Sequence, residues 1–241
     1  MEPFGNAGGS GVAPPDVRIE GVSYEVGAEA VVVCSQEPLT VLSSALAGGG
    51  LIAARSIANL HVAKNWQPGG HGSISEWRVA LDDFAERRGL PTPYVGLATS
   101  AWTQHAEVAG ARDGAIAALV LVSVGLGNPI AAGLSSGSAM VGRSTINTIV
   151  IVDALASPAA LVNLVITVTE VKAAVLRDAD LRTPDDDAAT GTSTDAVVIA
   201  ATGRGPACEF GGPISALGGL AARAARRAIG RGVAAWLERN R

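Results

Sequence analysis

The residues predict an α/β (or α+β) fold: a single mixed-sheet domain with a long buried helix and a C-terminal helix. Three observations carry that expectation. Ala115–Val124 and Asn147–Val152 are short runs rich in β-branched residues, and the first is apolar on both faces, as a buried strand is. Ser157-Pro158 opens a long apolar helical stretch that runs to about Asp178, with serine as N-cap and proline in the first turn. Ile214–Arg239 reads as a closing helix, weakened at Gly218-Gly219, Gly230 and Gly232. Mixed strands and helices of this kind share one core around a substantial sheet.

The remaining elements follow in chain order. Met1–Pro15 is rich in Gly and Pro and is expected to be a disordered lead-in, leaving residues 16–241 as the folded domain. Val17–Val26 and Ala30–Ser35 have strand composition, and Leu39–Leu46 reads as a third strand before Gly48-Gly49-Gly50. That glycine run is either a loop or a close backbone approach to a ligand. Ile52–Val62 fits strand or helix equally, and Asn65–Gly72 is a loop. Ser75–Arg88 is a helix, with Ser75 as N-cap and Gly89 as its stop. Val95–Thr99 and Ala196–Ala201 are further strands, and Thr183–Thr194, just before the second of them, is an acidic loop.

Composition narrows the function classes. Hydrophobic residues make up 48% and charged residues 17%, which is enough apolar material for a sizeable core. Aromatics are only 4%, so that core is built from small side chains with backbones close together. A net charge of -4 argues against a nucleic-acid partner. The arginines of the closing helix (Arg223, Arg226, Arg227, Arg231, Arg239) read as a solvated face. Met1–Pro15 lacks the basic start and apolar stretch of a secretion signal. The apolar runs Ala115–Val124 and Leu161–Val168 fall short of the ~20 residues a bilayer needs, so no membrane is expected. Cys34 and Cys208 have neither a disulfide framework nor metal-ligand spacing, and a reducing cytoplasm is the simpler location. A homo-oligomer is compatible with all of this.

The familiar catalytic patterns fail one by one. Gly133-Leu134-Ser135-Ser136-Gly137 matches G-x-S-x-G, but no histidine follows Ser135, so the hydrolase order is broken. His61, His71 and His105 are too widely spaced for a helical metal pair, and no metal is expected. Gly125-Leu126-Gly127-Asn128-Pro129 lacks the third glycine of a dinucleotide turn.

Polar residues inside apolar segments are more informative. Asn163, Thr167 and Glu170 share one stripe of a helix that should be buried on most sides. They either pair within the core or form the polar wall of a cavity. Lys172 lies about 200° round the helix from Glu170, so the two do not serve one small site. Thr190-Gly191-Thr192-Ser193-Thr194-Asp195 is the other dense cluster, placed before a strand as Ser144-Thr145-Ile146-Asn147 is. Glycine with several hydroxyls and N–H groups can hold an amide, a carboxylate or a phosphate. Polar edges beside apolar strands point to one shared cleft.

These segments carry a resemblance. Thr145-Ile146-Asn147, Thr169-Glu170-Val171-Lys172-Ala173 and Thr190–Asp195 resemble the adenosylcobinamide amidohydrolase family (CbiZ type). Ser43-Ser44 with Gly48-Gly49-Gly50, Asn59, Gly96, Thr99, Gly125–Asn128 and Gly211-Gly212-Pro213 with Gly218 agree in order. The chain departs from the pattern at Ser193, where a glycine is usual, at Phe210, where a tyrosine is, and at Pro129. The resemblance implies hydrolysis of the amide joining the corrin carboxyl to 1-aminopropan-2-ol. The products are adenosylcobyric acid and free aminopropanol, in corrinoid salvage. Cobalt then belongs to the substrate, the protein needs no cofactor, and no protein histidine binds the metal.

Amide hydrolysis needs a base or nucleophile, an oxyanion stabiliser and an acid for the leaving amine. With no histidine in these motifs, Glu170 is the expected base, its carboxyl raised by an apolar helix. Asp195 is the second carboxylate, and Lys172 is an acid or an ion-pair partner. Thr145, Asn147 and the N–H groups around Gly191–Thr194 are expected oxyanion donors. Asn59, Thr99, Asn128 and Thr190 are expected to bind the amide-rich corrin rim. A second mechanism makes Thr192 a nucleophile exposed by self-cleavage after Gly191. The rival reading is a corrinoid-binding protein without chemistry. A third is a partner protein acting through the arginine-rich helix.

Overall fold

The computed structural model describes residues 17–62, 74–136 and 144–241. The expected lead-in, the 65–72 loop, His71 and Gly137 lie outside them. Strand-forming sequence accounts for most of the frame. β1 (Val22–Val26), β2 (Ala30–Ser43), β3 (Gly50–His61), β4 (Tyr94–Thr99), β5 (Glu107–Asp113), β6 (Ile116–Val124), β8 (Ile146–Asp153) and β11 (Ala196–Ala201) form one mixed sheet. Its order is β4-β3-β2-β11-β8-β6-β5, with β1 also on β2. β3/β4 and β8/β11 are parallel, and the other pairs are antiparallel. Two-residue strands β7 (Pro129–Ile130) and β10 (Gly191–Thr192) pair with each other, as do β9 (Leu155–Ala156) and β12 (Ala207–Cys208). Three helices complete the fold: α1 (Ile74–Arg87), α2 (Pro158–Asp178) and α3 (Ala216–Arg239).

Side-chain alternation shows how the sheet is used. Leu119, Leu121, Ile149, Ile151, Val198 and Ala200 share a core with Val31, Val33, Ile57, Val95 and Leu97. Residues from both halves of one sheet therefore meet on the same side, so the sheet folds over on itself. The opposite faces carry helices: Val120, Val122, Val150, Val152 and Ile199 meet α2 and α3, and Ala30, Val32, Ala58 and Leu60 meet Leu81 and Phe84 of α1. Four layers result, and each central strand is buried on both faces. Small residues set the spacing. A Cβ at Gly232 would strike Val124, so glycine lets α3 close onto β6.

Several expectations need correction. The two expected segments 30–35 and 39–46 are one strand, β2, because a register shift between Cys34 and Leu39 absorbs Gln36-Glu37-Pro38. Ser75 lies inside the first turn of α1 rather than capping it. Gly89 does end that helix, at a φ of 58°. Ser157 caps α2 through its Oγ on the Ala160 amide at 3.1 Å. But α2 is not buried on most sides. Leu161, Leu164, Val168 and Leu176 enter the core, while Val162 and Ile166 remain 49% and 51% exposed. By length and composition α2 would also pass as a membrane span. Its packing against Leu217, Leu220 and Ala224 of α3 makes it a core helix.

The arginines of α3 are not a merely solvated face. β5 went unpredicted because Gly110, Arg112 and Asp113 dilute its strand character. It is an edge strand, and its outward carbonyls need donors. Arg227 donates to the Gly110 carbonyl. Arg231 donates to the Val108 carbonyl at 2.6 Å and to the Glu107 carboxylate at 2.8 Å. Arg226 pairs with Asp178 at the end of α2. Replacing Arg231 by alanine is expected to cost about 1 kcal/mol, read as a lowered thermal midpoint, with the fold retained. An unchanged midpoint would reduce this clamp to a surface contact.

Candidate active site

The folded-over sheet places polar residues at one end of its inner core. Asn59 follows Ile57 at a spacing of two, Ser123 follows Leu121, and Asn147 precedes Ile149, so all three face inward. They meet there, 1%, 1% and 2% exposed. Asn147 Nδ2 donates to Asn59 Oδ1 at 2.8 Å and to the Ala98 carbonyl at 3.0 Å. Asn59 Nδ2 donates to Ser123 Oγ at 2.9 Å. Thr145 Oγ1 lies 3.1 Å from Asn147 Oδ1 and 2.8 Å from the Thr194 carbonyl. Thr99 is also buried, and its Oγ1 accepts from the Ala101 amide at 3.0 Å.

The second half of the site is centred on Asp195, at the turn into β11. Its carboxylate receives four donors. Oδ1 accepts the Ile146 amide at 2.9 Å and the Thr192 hydroxyl at 2.5 Å. Oδ2 accepts the Thr192 amide at 3.0 Å and the Lys172 ammonium. The Lys172 and Asp195 side chains are each 11% exposed. Gly191 permits this. A Cβ there would overlap both Asp195 Oδ2 and Lys172 Nζ, so glycine leaves room for the ion pair against the β10 backbone, and a larger residue would push the two side-chain ends aside. Around it, Asn128 Nδ2 donates to Ser193 Oγ at 2.6 Å, and Thr190 Oγ1 accepts the Ala132 amide at 2.9 Å.

The predicted residues separate into three groups. Asp195, Lys172, Gly191, Thr192 and, through its carbonyl, Thr194 come together. Asn59, Asn147 and Thr145 adjoin them but are occupied with one another. Thr190, Asn128 and Thr99 hold the surrounding turns. Glu170 is a correction: it was expected to be buried, and it is exposed. The stripe argument took α2 as buried all round. Only one side of α2 is buried, and Lys172 rather than Glu170 faces the site. Asn163 and Thr167, on the same stripe, hold the backbone of Gly211, with Thr167 donating to its carbonyl at 2.9 Å. A Cβ at Gly211 would overlap the Ala160 carbonyl.

Ser123 escaped sequence reasoning as a site residue, and Ser144 was read only as part of a polar strand edge. Ser123 sat inside an apolar run, where its parity with Leu119 and Leu121 marked it as inward-facing. Ser144 Oγ accepts the Gly127 amide at 2.9 Å and fills the space that a side chain at Gly125 would need. Of the histidines, His61 stacks on Trp102 at 4.6 Å, and its Nδ1 lies 2.9 Å from the Ala101 carbonyl. Burial, with Arg239 adding to it, pushes the His105 pKa below its ordinary value. Ser135 accepts the Ala131 amide at 2.9 Å and so closes a turn. Among the described residues no group of three or more His, Cys, Asp and Glu could hold a metal ion.

No curated protein sequence matches the chain. Among solved structures, a β-aminopeptidase from Burkholderia sp. is similar at 14% identity and a TM-score of 0.45, over 85% of this chain and 78% of that one. The PH0078 protein from Pyrococcus horikoshii OT3 is similar at 14% identity and 0.47, over 92% and 82%. The L-aminopeptidase D-Ala-esterase/amidase from Ochrobactrum anthropi is similar at 12% identity and 0.39, over 89% and 83%. The family model described as adenosylcobinamide amidohydrolase matches residues 16–241, nearly the whole chain, and to that family the chain belongs.

Proposed function

We propose that this enzyme hydrolyses the aminopropanol amide of adenosylcobinamide, releasing adenosylcobyric acid and 1-aminopropan-2-ol. The family supports the reaction class. The observation that carries the chemistry is the Thr192–Asp195–Lys172 cluster. A hydroxyl bound to a carboxylate, with an ammonium on the same carboxylate, is an activated-nucleophile arrangement.

The donor count favours one of two mechanisms. A carboxylate has about four acceptor positions, and those of Asp195 are taken by Ile146, Thr192 twice and Lys172. It has no position left to draw a proton from a free water. It can take only a proton already shared with it, and the Thr192 hydroxyl offers one. Thr192 Oγ1 therefore attacks the amide carbonyl carbon while its proton moves to Asp195 Oδ1. The C–N bond then breaks, the proton passes to the leaving nitrogen, and aminopropanol departs. An ester of cobyric acid on Thr192 remains. Water attacks the ester carbonyl, its proton returns to Thr192 Oγ1, and the acid is released. Lys172 balances the charge on Asp195 throughout. Glu170 takes no part in these steps, and cobalt enters only with the corrinoid.

The test is product analysis. Purified protein incubated with adenosylcobinamide is expected to yield adenosylcobyric acid and aminopropanol, separated by chromatography and identified by mass. Corrinoid that co-elutes unchanged with the protein would instead favour a binding protein, in which Asp195 serves only as an anchor.

A further inference from the structure

Among the described residues, the polar groups between the two sheet halves form a chain whose hydrogen-bond directions can be deduced. The Ala98 carbonyl only accepts, so the group of Asn147 facing it is its NH2. The same NH2 then faces Asn59, which must present its oxygen. Asn59 has its NH2 left for Ser123 Oγ, and Asn147 has its oxygen left for Thr145. Thr145 holds one proton, and both of its neighbours, Asn147 Oδ1 and the Thr194 carbonyl, are acceptors. The 2.8 Å contact to Thr194 is the shorter. Thr194 stands between Thr192 and Asp195, and its own side is exposed to solvent.

From this geometry we infer that Ser123, Asn59, Asn147 and Thr145 are not substrate contacts but a buried tether. It holds the Thr194 carbonyl, and with it the Thr192–Asp195 turn, in register with β8. Three observations converge on this. The four residues are at most 4% exposed, and Asn59, Ser123 and Asn147 face the inner core of the sheet. Their polar groups are bonded to one another or to backbone. They link β3, β6 and β8 to a turn that no strand of the main sheet otherwise contains. The Ile146 amide on Asp195 Oδ1 makes a second bond between the same two segments, so Thr145 and Ile146 grip the turn at adjacent positions. Thr145 is thus a positioning residue for Thr192. Its effect on turnover rests on the reading in the preceding subsection; its effect on the turn does not.

The test compares Thr145→Val, which keeps the shape and removes the hydroxyl, with Thr145→Ser, which keeps the hydroxyl. Amide hydrogen exchange is followed at Thr192, with Val150 in the middle of β8 as an internal control. In Thr145→Val the Thr192 amide is expected to exchange about tenfold faster with Val150 unchanged, and in Thr145→Ser most of the protection returns. With adenosylcobinamide, kcat of Thr145→Val should fall by about tenfold with KM little altered, and serine should restore most of it. Thr192 exchange equal to wild type in Thr145→Val would overturn the tether, as would faster exchange at Thr192 and Val150 in step. A wild-type protein that does not turn over the corrinoid would sink the proposed reaction and leave the exchange result to decide the tether.

Discussion

Thr192→Val should abolish turnover of adenosylcobinamide while leaving the protein folded. Valine is nearly the shape of threonine, and the Thr192 backbone amide still reaches Asp195 Oδ2. Only the hydroxyl on Asp195 Oδ1 is lost, a hydrogen bond to a charged group worth about 2 kcal/mol of stability. If that hydroxyl forms the covalent ester, kcat falls by roughly a thousandfold or more. Thr192→Ser keeps a nucleophile and should retain measurable activity. A mass increase equal to the cobyric acyl group, trapped on the wild-type protein and absent from Thr192→Val, would place the ester. Near-normal turnover by the valine variant would return the attack to a water molecule. Intact mass also separates this mechanism from self-cleavage after Gly191. Hydrolysis by the uncut chain gives one species near 24.1 kDa.

Asp195→Asn should be harmful in two separable ways. The carboxylate is the proton acceptor in the proposed step, so turnover is lost. It is also the counter-ion of Lys172, whose residue is only 9% exposed. Removing one partner of a buried pair leaves the other charge uncompensated, at a cost of about 3 kcal/mol. Replacing both by uncharged groups avoids that cost. Asp195→Asn combined with Lys172→Met should therefore regain most of the stability lost by the single variant, read by urea denaturation, and none of the activity. If the double variant were as unstable as the single one, the ion pair would not be the main support of the turn. If it turned over substrate, Asp195 would not be the acceptor.

Much of the fold could be read along the chain. Ser157-Pro158 marks the start of α2 because an N-cap hydroxyl accepts from one orphan amide and a proline removes another. β11 is found at the expected Ala196–Ala201, and α3 ends at the expected Arg239. β-branched content and burial on both faces announced β6 and β8. Errors fell where context overrides local preference. The interrupted composition at Gln36-Glu37-Pro38 looked like a break, but a bulge carries β2 through it. β5 has weak strand composition and is secured instead by α3 arginines distant in sequence. The mean apolarity of α2 implied burial all round, and that error moved Glu170 into the core.

The candidate site was legible as a set of residue types and not as a set of contacts. The hydroxyl-rich Thr190–Asp195 segment, the Thr145–Asn147 edge and Lys172 were visible as polar groups in or beside apolar segments, and Asn59 through the family resemblance. That much the sequence determined by itself, together with strands, helices and family. Tertiary structure alone decided which of them meet. Lys172 and Asp195 are 23 positions apart, and Asn59 and Asn147 are 88 apart. Their contacts depend on strand order, on how far the sheet folds over, and on the rotation of α2 about its axis. Neighbouring positions on a helix differ by about 100°. Lys172 and Glu170, two positions apart, therefore stand on nearly opposite sides of α2, and packing of Leu161, Leu164 and Val168 against α3 and the sheet turns the side with Lys172 toward the site.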